Sequence, residues 1–121
     1  MEIFNIEEFI NAEKPNSGTR YRREILTSKQ KASNLAGILV ALGQGDQVPY
    51  HYHNKRESII ITLTGEATEI VEGKEITIKA NDILYIPAGE KHGTVNKTDK
   101  VFRYLEIFTC PPVMADHVEV K

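Results

Sequence analysis

Most of the chain follows a pattern of short apolar and β-branched runs that turn residues separate. From residue 20 onward each run has the length of a β-strand, and no segment keeps the apolar spacing of a long helix. The predicted strands lie at residues 20–26, 34–42, 48–53, 57–64, 66–72, 75–79, 82–87, 92–96 and 101–108. Many short strands at regular spacing predict an all-β fold, either a sandwich or a closed barrel.

A short helix is predicted to precede the strands. Asn5 suits an N-cap, because its side chain can accept a hydrogen bond from the first turn, and Glu8 stands three residues on. The apolar positions that follow share one face, which predicts a helix over residues 5–12, and residues 13–19 are rich in turn formers. The chain is thus predicted to be a single domain, 1–121, made of an N-terminal helix and arm at 1–19, a barrel at 20–112 and a tail at 113–121.

Charge and composition argue against several classes of protein. The 121 residues carry 15 Lys and Arg against 17 Asp and Glu, so the net charge of −2 offers no basic surface for nucleic acid. A single cysteine excludes an internal disulfide framework. The N-terminus lacks a basic start followed by an apolar stretch, and no apolar run reaches membrane-spanning length. We therefore expect a soluble, cytoplasmic protein with no nucleic-acid partner and no membrane partner.

The candidate chemistry begins at a pair of histidines. His51 and His53 stand two residues apart in a predicted strand, so their side chains point to the same face. Glu57 lies a further even number of residues on, and it joins the histidine face if the strand stays regular. Two imidazoles and a carboxylate on one face are typical ligands of a first-row metal ion.

A third histidine follows a sharp turn in a later segment. Pro87 and Gly89 fix a turn between two predicted strands, and His92 stands at the start of the second of these strands. An imidazole on a neighbouring strand can complete the site that His51 and His53 begin.

The two segments together resemble the sequence motifs of the cupin superfamily. The first cupin motif joins a glycine, a His-x-His pair, a glutamate and a second glycine, and the second motif joins a glycine, Pro-x-Gly, a histidine and an asparagine. The matching residues are Gly45, His51, His53, Glu57 and Gly65 for the first motif, and Pro87, Gly89, His92 and Asn96 for the second. The resemblance implies a small single-domain cupin, a jelly-roll β-barrel that holds one divalent metal ion on the ligands His51, His53, Glu57 and His92.

Two positions depart from the cupin pattern. Asn81 stands where the family has glycine, and asparagine tolerates a left-handed backbone better than most residues. Seven residues separate Glu57 from Gly65, one more than in the family, so counting back from Gly65 places Ser58 at the position of the family's glutamate. Either a bulge follows Glu57 and keeps it as a ligand, or Ser58 takes that position and Glu57 turns outward. The even spacing from the two histidines favours Glu57.

These two alternatives predict different metals. Three histidines and a glutamate leave two adjacent octahedral positions open, which suits iron, manganese, nickel or copper. Three histidines with water suit tetrahedral zinc. The sequence leaves the identity of the ion open.

The resemblance implies a range of functions on one fold: sugar and sugar-phosphate isomerases, oxygenases, lyases, decarboxylases and proteins that only bind. We favour a metal-dependent isomerase, lyase or oxygenase that acts on a small sugar-like or carboxylate substrate, with Glu57 as the candidate proton carrier. The alternatives are a non-catalytic cupin that binds a small molecule and a barrel that the metal mainly stabilises. The resemblance also implies a homodimer, with residues 20–40 as the candidate contact.

Other polar residues are expected to face solvent. The basic cluster Arg20, Arg22 and Arg23 has the chemistry to clamp a substrate carboxylate, but a solvated strand face is the commoner arrangement. His117 lies in the polar tail and is expected to be solvated as well. On the last predicted strand, 101–108, one face must line the pocket, and the sequence leaves open which face that is.

Overall fold

The described part of the chain consists mainly of β-strands. The structure is a computed structural model that describes residues 1–13, 20–112 and 115–121. In chain order the strands are β1 (Arg20–Leu26), β2 (Leu35–Leu42), β3 (Gln47–Tyr52), β4 (Ser58–Thr64), β5 (Glu66–Val71), β6 (Lys74–Lys79), β7 (Ile83–Ile86), β8 (His92–Val95), β9 (Phe102–Thr109) and β10 (Val118–Glu119). The predicted all-β fold is therefore confirmed.

The strands form two five-stranded antiparallel sheets. The strand order is β1-β2-β9-β4-β7 in the first sheet and β10-β3-β8-β5-β6 in the second. Within the described residues the two sheets face each other as in the predicted cupin jelly roll, and backbone hydrogen bonds do not join them into one continuous barrel. Sheets that are not joined by hydrogen bonds leave edge strands, and β1 and β10 are two of these edges.

The hydrophobic core lies between the inner faces of the two sheets. β2 pairs with β9 along its whole length, from Leu35 opposite Thr109 to Leu42 opposite Phe102. Alternate residues of each strand point inward, as the pleat of a strand requires. The buried core side chains are Ala36, Ile38, Val40, Leu42, Ile60, Ala67, Ile78, Ile86, Phe102, Tyr104 and Phe108. Both sheets contribute to this set, so one core holds them face to face.

The predicted N-terminal helix is confirmed and covers the outer face of the first sheet. Helix α1 (Ile6–Ala12) begins after Asn5, whose side chain accepts a hydrogen bond from the backbone N–H of Glu8. Phe9 is 1% exposed and packs on buried side chains of β2. Burying one such side chain contributes about 1.5–3 kcal/mol, so this contact holds a helix that is too short to be stable alone. No helix in the described residues is long and apolar enough to cross a membrane.

Two turn positions show why the cupin motif requires special residues. Gly65 follows β4 with φ of +78°, and a Cβ atom there would lie 2.5 Å from the carbonyl oxygen of Val101. Asn81, which stands where the motif has glycine, has φ of +76°. Asparagine adopts this left-handed conformation at low cost, so the departure from the motif leaves the turn intact.

The end of the chain differs from the prediction. The predicted tail at 113–121 contains strand β10, in which Val118 lies opposite Tyr52 and Glu119 lies opposite His51 of β3. The alternation of apolar and polar residues is too short there to mark a strand, and the pairing partner supplies the order. Residues 14–19 and 113–114, which include most of the predicted loop, lie outside the described residues.

Candidate metal centre

Two neighbouring strands of the second sheet bring three histidines together. His51 on β3 is the direct cross-strand partner of His92 on β8, and His53 follows the end of β3. The three residues are 5%, 6% and 5% exposed, in that order. The ring centroid of His51 lies 4.4 Å from that of His92 and 4.9 Å from that of His53. One potential ligand atom from each histidine lies within 4.8 Å of the other two, so the cluster is positioned to hold an ion.

Hydrogen bonds at Nδ1 fix the tautomer of two of the three imidazoles. Nδ1 of His51 lies 2.7 Å from the carbonyl oxygen of Pro49, and Nδ1 of His53 lies 2.6 Å from the carbonyl oxygen of Asp116. A carbonyl oxygen only accepts hydrogen bonds, so each neutral ring must carry its proton on Nδ1. The lone pair then lies on Nε2, which is the nitrogen left to bind a metal.

A buried carboxylate is the partner of the third imidazole. Nδ1 of His92 lies 3.4 Å from Oε2 of Glu69 on β5, and the hydroxyl of Thr94 donates to the other carboxylate oxygen. The register places Glu69 directly opposite Thr94, and Glu69 is 2% exposed. A carboxylate behind a histidine is the usual outer partner of a metal-binding imidazole, because it orients the ring and raises its basicity.

The surroundings favour the neutral form of the imidazoles. Burial, and then the neighbouring His92, lower the pKa of His51 to about 3. Burial, and then the guanidinium of Arg56, lower the pKa of His53 to about 4. A metal ion binds the neutral ring, so at pH 7 both side chains are in the form that a ligand requires.

The structure does not bring Glu57 to the histidines. Its side chain is exposed, and its Oε1 accepts a hydrogen bond of 2.6 Å from the hydroxyl of Tyr85. Strand β3 ends at Tyr52 and a tight loop follows, so the even spacing behind the prediction is lost before residue 57. Ser58, which is 5% exposed, takes the inward position at the start of β4. Of the two alternatives that the sequence left open, the structure has the one in which Glu57 turns outward.

The histidines line a cavity of about 220 Å³ between the two sheets. Ligand pockets for drug-sized molecules typically measure about 300–1,000 Å³, so this cavity suits a smaller metabolite. Five charged side chains share its walls with apolar residues, namely Arg20, Arg22, Arg56, Glu106 and Glu119. The cavity is therefore polar and charged as well as small.

The inward face of β9 contributes Tyr104 and Glu106 to this cavity, which resolves the orientation that the sequence left open. Glu106 lies opposite Ile60 of β4 and accepts a hydrogen bond from the hydroxyl of Ser58. Burial raises the pKa of the Glu106 carboxyl and outweighs the effect of the Ser58 hydrogen bond. A carboxyl group with a raised pKa is more readily protonated near neutral pH than an exposed glutamate, which is what a proton carrier needs.

The C-terminal segment fixes the loop that follows His53. The carboxylate of Asp116 accepts hydrogen bonds from three successive backbone N–H groups, those of residues 54–56, at 2.9, 2.5 and 2.9 Å. The carbonyl oxygen of the same aspartate accepts from Nδ1 of His53. One residue therefore sets both the loop after β3 and the orientation of a candidate ligand.

His117 differs from its prediction as a solvated residue. Its half-buried ring stacks on His51 with centroids 4.5 Å apart, and it lies 5.5 Å from His53. The pairing of β10 with β3 places His117 over the cluster, and no pattern in the sequence predicts that pairing. Its position makes it part of the wall of the site.

Arg56 connects the same segment to the core. It is 4% exposed, and its Nη2 donates to the carbonyl oxygens of Pro112 and Ala115 at 3.0 and 2.8 Å. The guanidinium also lies 4.2 Å from the ring centroid of Phe108, a cation–π contact. These contacts hold its charge close to His53.

The residues that accept hydrogen bonds from Nδ1 of His92 and His53 were not identified from the sequence, and only one of these residues stands out in it. Glu69 stands between Ala67 and Val71 on the apolar face of β5, and a charged residue on such a face indicates a buried polar role. Asp116 had no signal, because its partner Asn54 lies 62 residues away along the chain.

The fold and the three-histidine cluster are those of a cupin, and comparison with known proteins establishes the family. The Cupin domain family matches residues 38–108, so the chain belongs to the cupin family. An oxalate-binding protein from Thermotoga maritima is 30% identical over 84 residues, which are 68% of this chain and 69% of that protein.

Solved structures share this fold. A conserved protein with a double-stranded β-helix domain from Klebsiella pneumoniae matches 100% of this chain and 98% of its own, with a TM-score of 0.81 at 20% identity. A predicted oxalate decarboxylase from Thermotoga maritima matches 76% of this chain and 81% of its own, with a TM-score of 0.69 at 22% identity. A polyketide cyclase from Streptomyces resistomycificus matches 91% of this chain and 77% of its own, with a TM-score of 0.75 at 21% identity. At these identities the likeness shows the fold alone.

Replacing Asp116 with asparagine is expected to destabilise the protein in a pH-dependent way. The hydrogen bonds from Lys55 and its neighbours lower the pKa of Asp116 from 3.8 to about 2. The folded state therefore favours the charged carboxylate, so its contribution to stability is complete above pH 3.8 and is lost as the pH falls through about 2. Urea unfolding of wild type and Asp116→Asn across that window should show a shrinking difference in unfolding free energy, and a constant difference would contradict this role.

Proposed function

We propose that the chain binds one divalent metal ion through Nε2 of His51, His53 and His92, and that the ion and the cavity together bind a small carboxylate. The supporting observation is the set of three buried imidazoles whose Nδ1 atoms all face protein acceptors. This arrangement leaves the three Nε2 atoms for a common ligand. It is the pattern that metal-binding histidines have in general.

The donor set fits a first-row metal ion. Imidazole nitrogen suits zinc, copper, iron and nickel, and three histidines leave further coordination positions for water or a ligand. With Glu57 turned outward, a three-histidine site suits zinc as well as the redox metals. When bound, the ion supplies a Lewis acid that polarises an oxygen atom of the ligand.

The charges on the cavity wall support a small anion as the ligand. Three arginines and two glutamates line the cavity, and burial shifts one of these glutamates, Glu106, towards its neutral form. The balance inside the cavity is therefore positive even before an ion binds. The Thermotoga maritima relative is an oxalate-binding protein, which supports the same ligand chemistry.

Glu106 supports an enzyme over a protein that only binds. A catalytic site needs a general acid or base within reach of the ligand, whereas a binding site can do without one. Glu106 lines the same cavity as the three histidines, and its carboxyl is held by Ser58. We therefore propose that Glu106, and not Glu57, carries a proton to or from the bound carboxylate in an isomerase, lyase or decarboxylase reaction.

We also propose that the protein forms a homodimer. Apolar side chains that face outward on β4 and β7 support it, because Ile59, Ile83 and Tyr85 are 46%, 72% and 59% exposed. Ile59 lies directly opposite Tyr85, so these side chains form a contiguous surface on the first sheet. This surface lies on different strands from residues 20–40, the contact that the sequence suggested.

The metal content of the histidine variants tests the first part of the proposal. Wild type reloaded with zinc, iron, manganese, nickel and copper in turn is expected to retain about one equivalent of at least one ion after desalting. His51→Ala and His92→Ala should retain none, because each removes a ligand atom. Glu69→Gln should keep the ion with an affinity that is roughly 10–100-fold lower, since Glu69 only orients His92. Mass spectrometry of the protein-bound metal gives all four values.

Glu57→Gln is the matched control, because Glu57 is a glutamate of the same region whose side chain faces outward. It is expected to bind the metal as wild type does. Retention of the ion by His51→Ala and His92→Ala, or its loss from Glu57→Gln, would contradict the proposed ligand set.

Proton exchange tests the role of Glu106. Metal-loaded wild type in D2O is expected to exchange the carbon-bound hydrogen next to the carbonyl or carboxyl group (the α-hydrogen) of at least one small keto or hydroxy acid, and Glu106→Gln should slow that exchange by about 10²-fold or more while keeping the metal. Proton NMR follows the loss of the α-hydrogen signal. Wild-type exchange rates in Glu106→Gln would exclude this carboxyl as the proton carrier. No exchange in wild type, with binding intact, would favour the non-catalytic alternative.

A further inference from the structure

The first strand places two arginines at the mouth of the cavity. β1 is an edge strand of the first sheet, and Arg20 and Arg22 stand two residues apart on it. Both are exposed to solvent at the mouth, and both line the cavity that contains the three histidines.

The register of β1 on β2 shows that the side chains of Arg20 and Arg22 face inward. Arg20 lies opposite Leu42 and Arg22 opposite Val40, and Leu42 and Val40 belong to the core between the sheets. Arg23, one residue further, lies opposite Leu39 of β2. Leu39 belongs to the separate cluster under helix α1, on the outer face of the sheet. Of the three arginines at positions 20, 22 and 23, two therefore face the cavity and one faces away from it.

The charges of the two inward arginines reach the inside of the cavity. Burial raises the pKa of Tyr104, and the positive charges of Arg20 and Arg22 oppose that rise. Tyr104 is 5% exposed, so these charges act on a group in the core of the protein. A guanidinium that acts on a buried hydroxyl also acts on an anion bound beside it.

The same two guanidinium groups are available to a ligand. The ion pairs between described residues are His92 with Glu69, Lys97 with Glu75, and Arg103 with Glu13. Neither Arg20 nor Arg22 takes part in these pairs. Glu119 on β10 lines the same cavity and is as exposed as the two arginines, so it offsets part of their charge, and two arginines against one glutamate leave the mouth positive.

We propose that Arg20 and Arg22 form a second anion subsite, and that the ligand is a small dicarboxylate with one carboxylate at the histidine cluster and the other on these arginines. This inference rests on the proposed function, because the histidine cluster must hold the first carboxylate through its metal. A guanidinium binds a carboxylate through two parallel hydrogen bonds. Two guanidinium groups at the mouth of the cavity therefore favour a ligand that carries a second negative charge at the end away from the histidine cluster. The subsite would thus determine specificity between dicarboxylates and monocarboxylates.

Calorimetric titration of the metal-loaded protein tests the subsite. The probes are malonate, succinate and glutarate, each paired with the monocarboxylate of the same chain length, which is propionate, butyrate or valerate. Wild type is expected to bind at least one dicarboxylate about tenfold or more tightly than its partner. Arg20→Gln and Arg22→Gln should each lower that dicarboxylate affinity by about tenfold and change the monocarboxylate affinity by less than about twofold. Arg22→Lys should fall between wild type and Arg22→Gln, because lysine keeps the charge and loses the paired hydrogen bonds.

Arg23→Gln is the matched control, because it removes the same charge from the opposite face of the same strand. It is expected to leave both affinities within about twofold of wild type. A loss in Arg23→Gln as large as in Arg22→Gln would overturn the subsite and leave only a general effect of charge. Equal losses for dicarboxylates and monocarboxylates, or no preference for any dicarboxylate in wild type, would overturn it too.

The two proposals fail in different ways. If the protein takes up no metal, the proposed function fails and the subsite fails with it. If the protein takes up metal and binds the monocarboxylates but shows no dependence on Arg20 and Arg22, only the subsite fails.

Discussion

The pairing of β3 with β8 is the constraint on which the chemistry of this protein depends. It sets His51 directly opposite His92, and the end of β3 then places His53 beside them. The next strand, β5, pairs with the other side of β8 and brings Glu69 behind His92. A shift of one residue in either register would turn these side chains to the opposite face. The backbone hydrogen bonds of the second sheet therefore build the cluster and its first outer partner together.

The three imidazoles differ in how their Nδ1 atoms are held, and this difference links the cluster to the rest of the fold. His51 uses a carbonyl two residues away, His92 uses a carboxylate of the neighbouring strand, and His53 uses the carbonyl of Asp116 near the end of the chain. The C-terminal segment is thus part of the site, because Asp116 also binds the loop after His53 and β10 extends the second sheet. The cavity beside the cluster is closed on the far side by β9, whose inward face supplies Glu106, and is bordered at its mouth by the arginines of β1.

The sequence predicted the parts of this arrangement that local spacing determines. The strands follow from the alternation of apolar and polar residues, and the start of the helix follows from the N-cap residue Asn5. The histidine cluster follows from the positions of His51, His53 and His92 in predicted strands. The prediction that Glu57 joins the histidines was wrong, because even spacing places side chains on one face only within an extended strand. Here β3 ends before residue 57, and a loop that is hydrogen-bonded to Asp116 follows it. Glu69, Asp116 and Glu106 join the site through pairings between distant segments, which a single sequence does not reveal.

The central claim is that each of the three histidines presents the lone pair of Nε2 to a common ion, and the tautomers of the imidazoles test it most directly. Long-range proton–nitrogen NMR correlation of the metal-free protein near pH 7 distinguishes a protonated Nδ1 from a protonated Nε2 in each ring. We predict that His51, His53 and His92 all carry the proton on Nδ1, and that added zinc shifts the Nε2 resonance of all three together. A proton on Nε2 in any of them, or a zinc-induced shift at Nδ1 instead, would contradict the geometry described above.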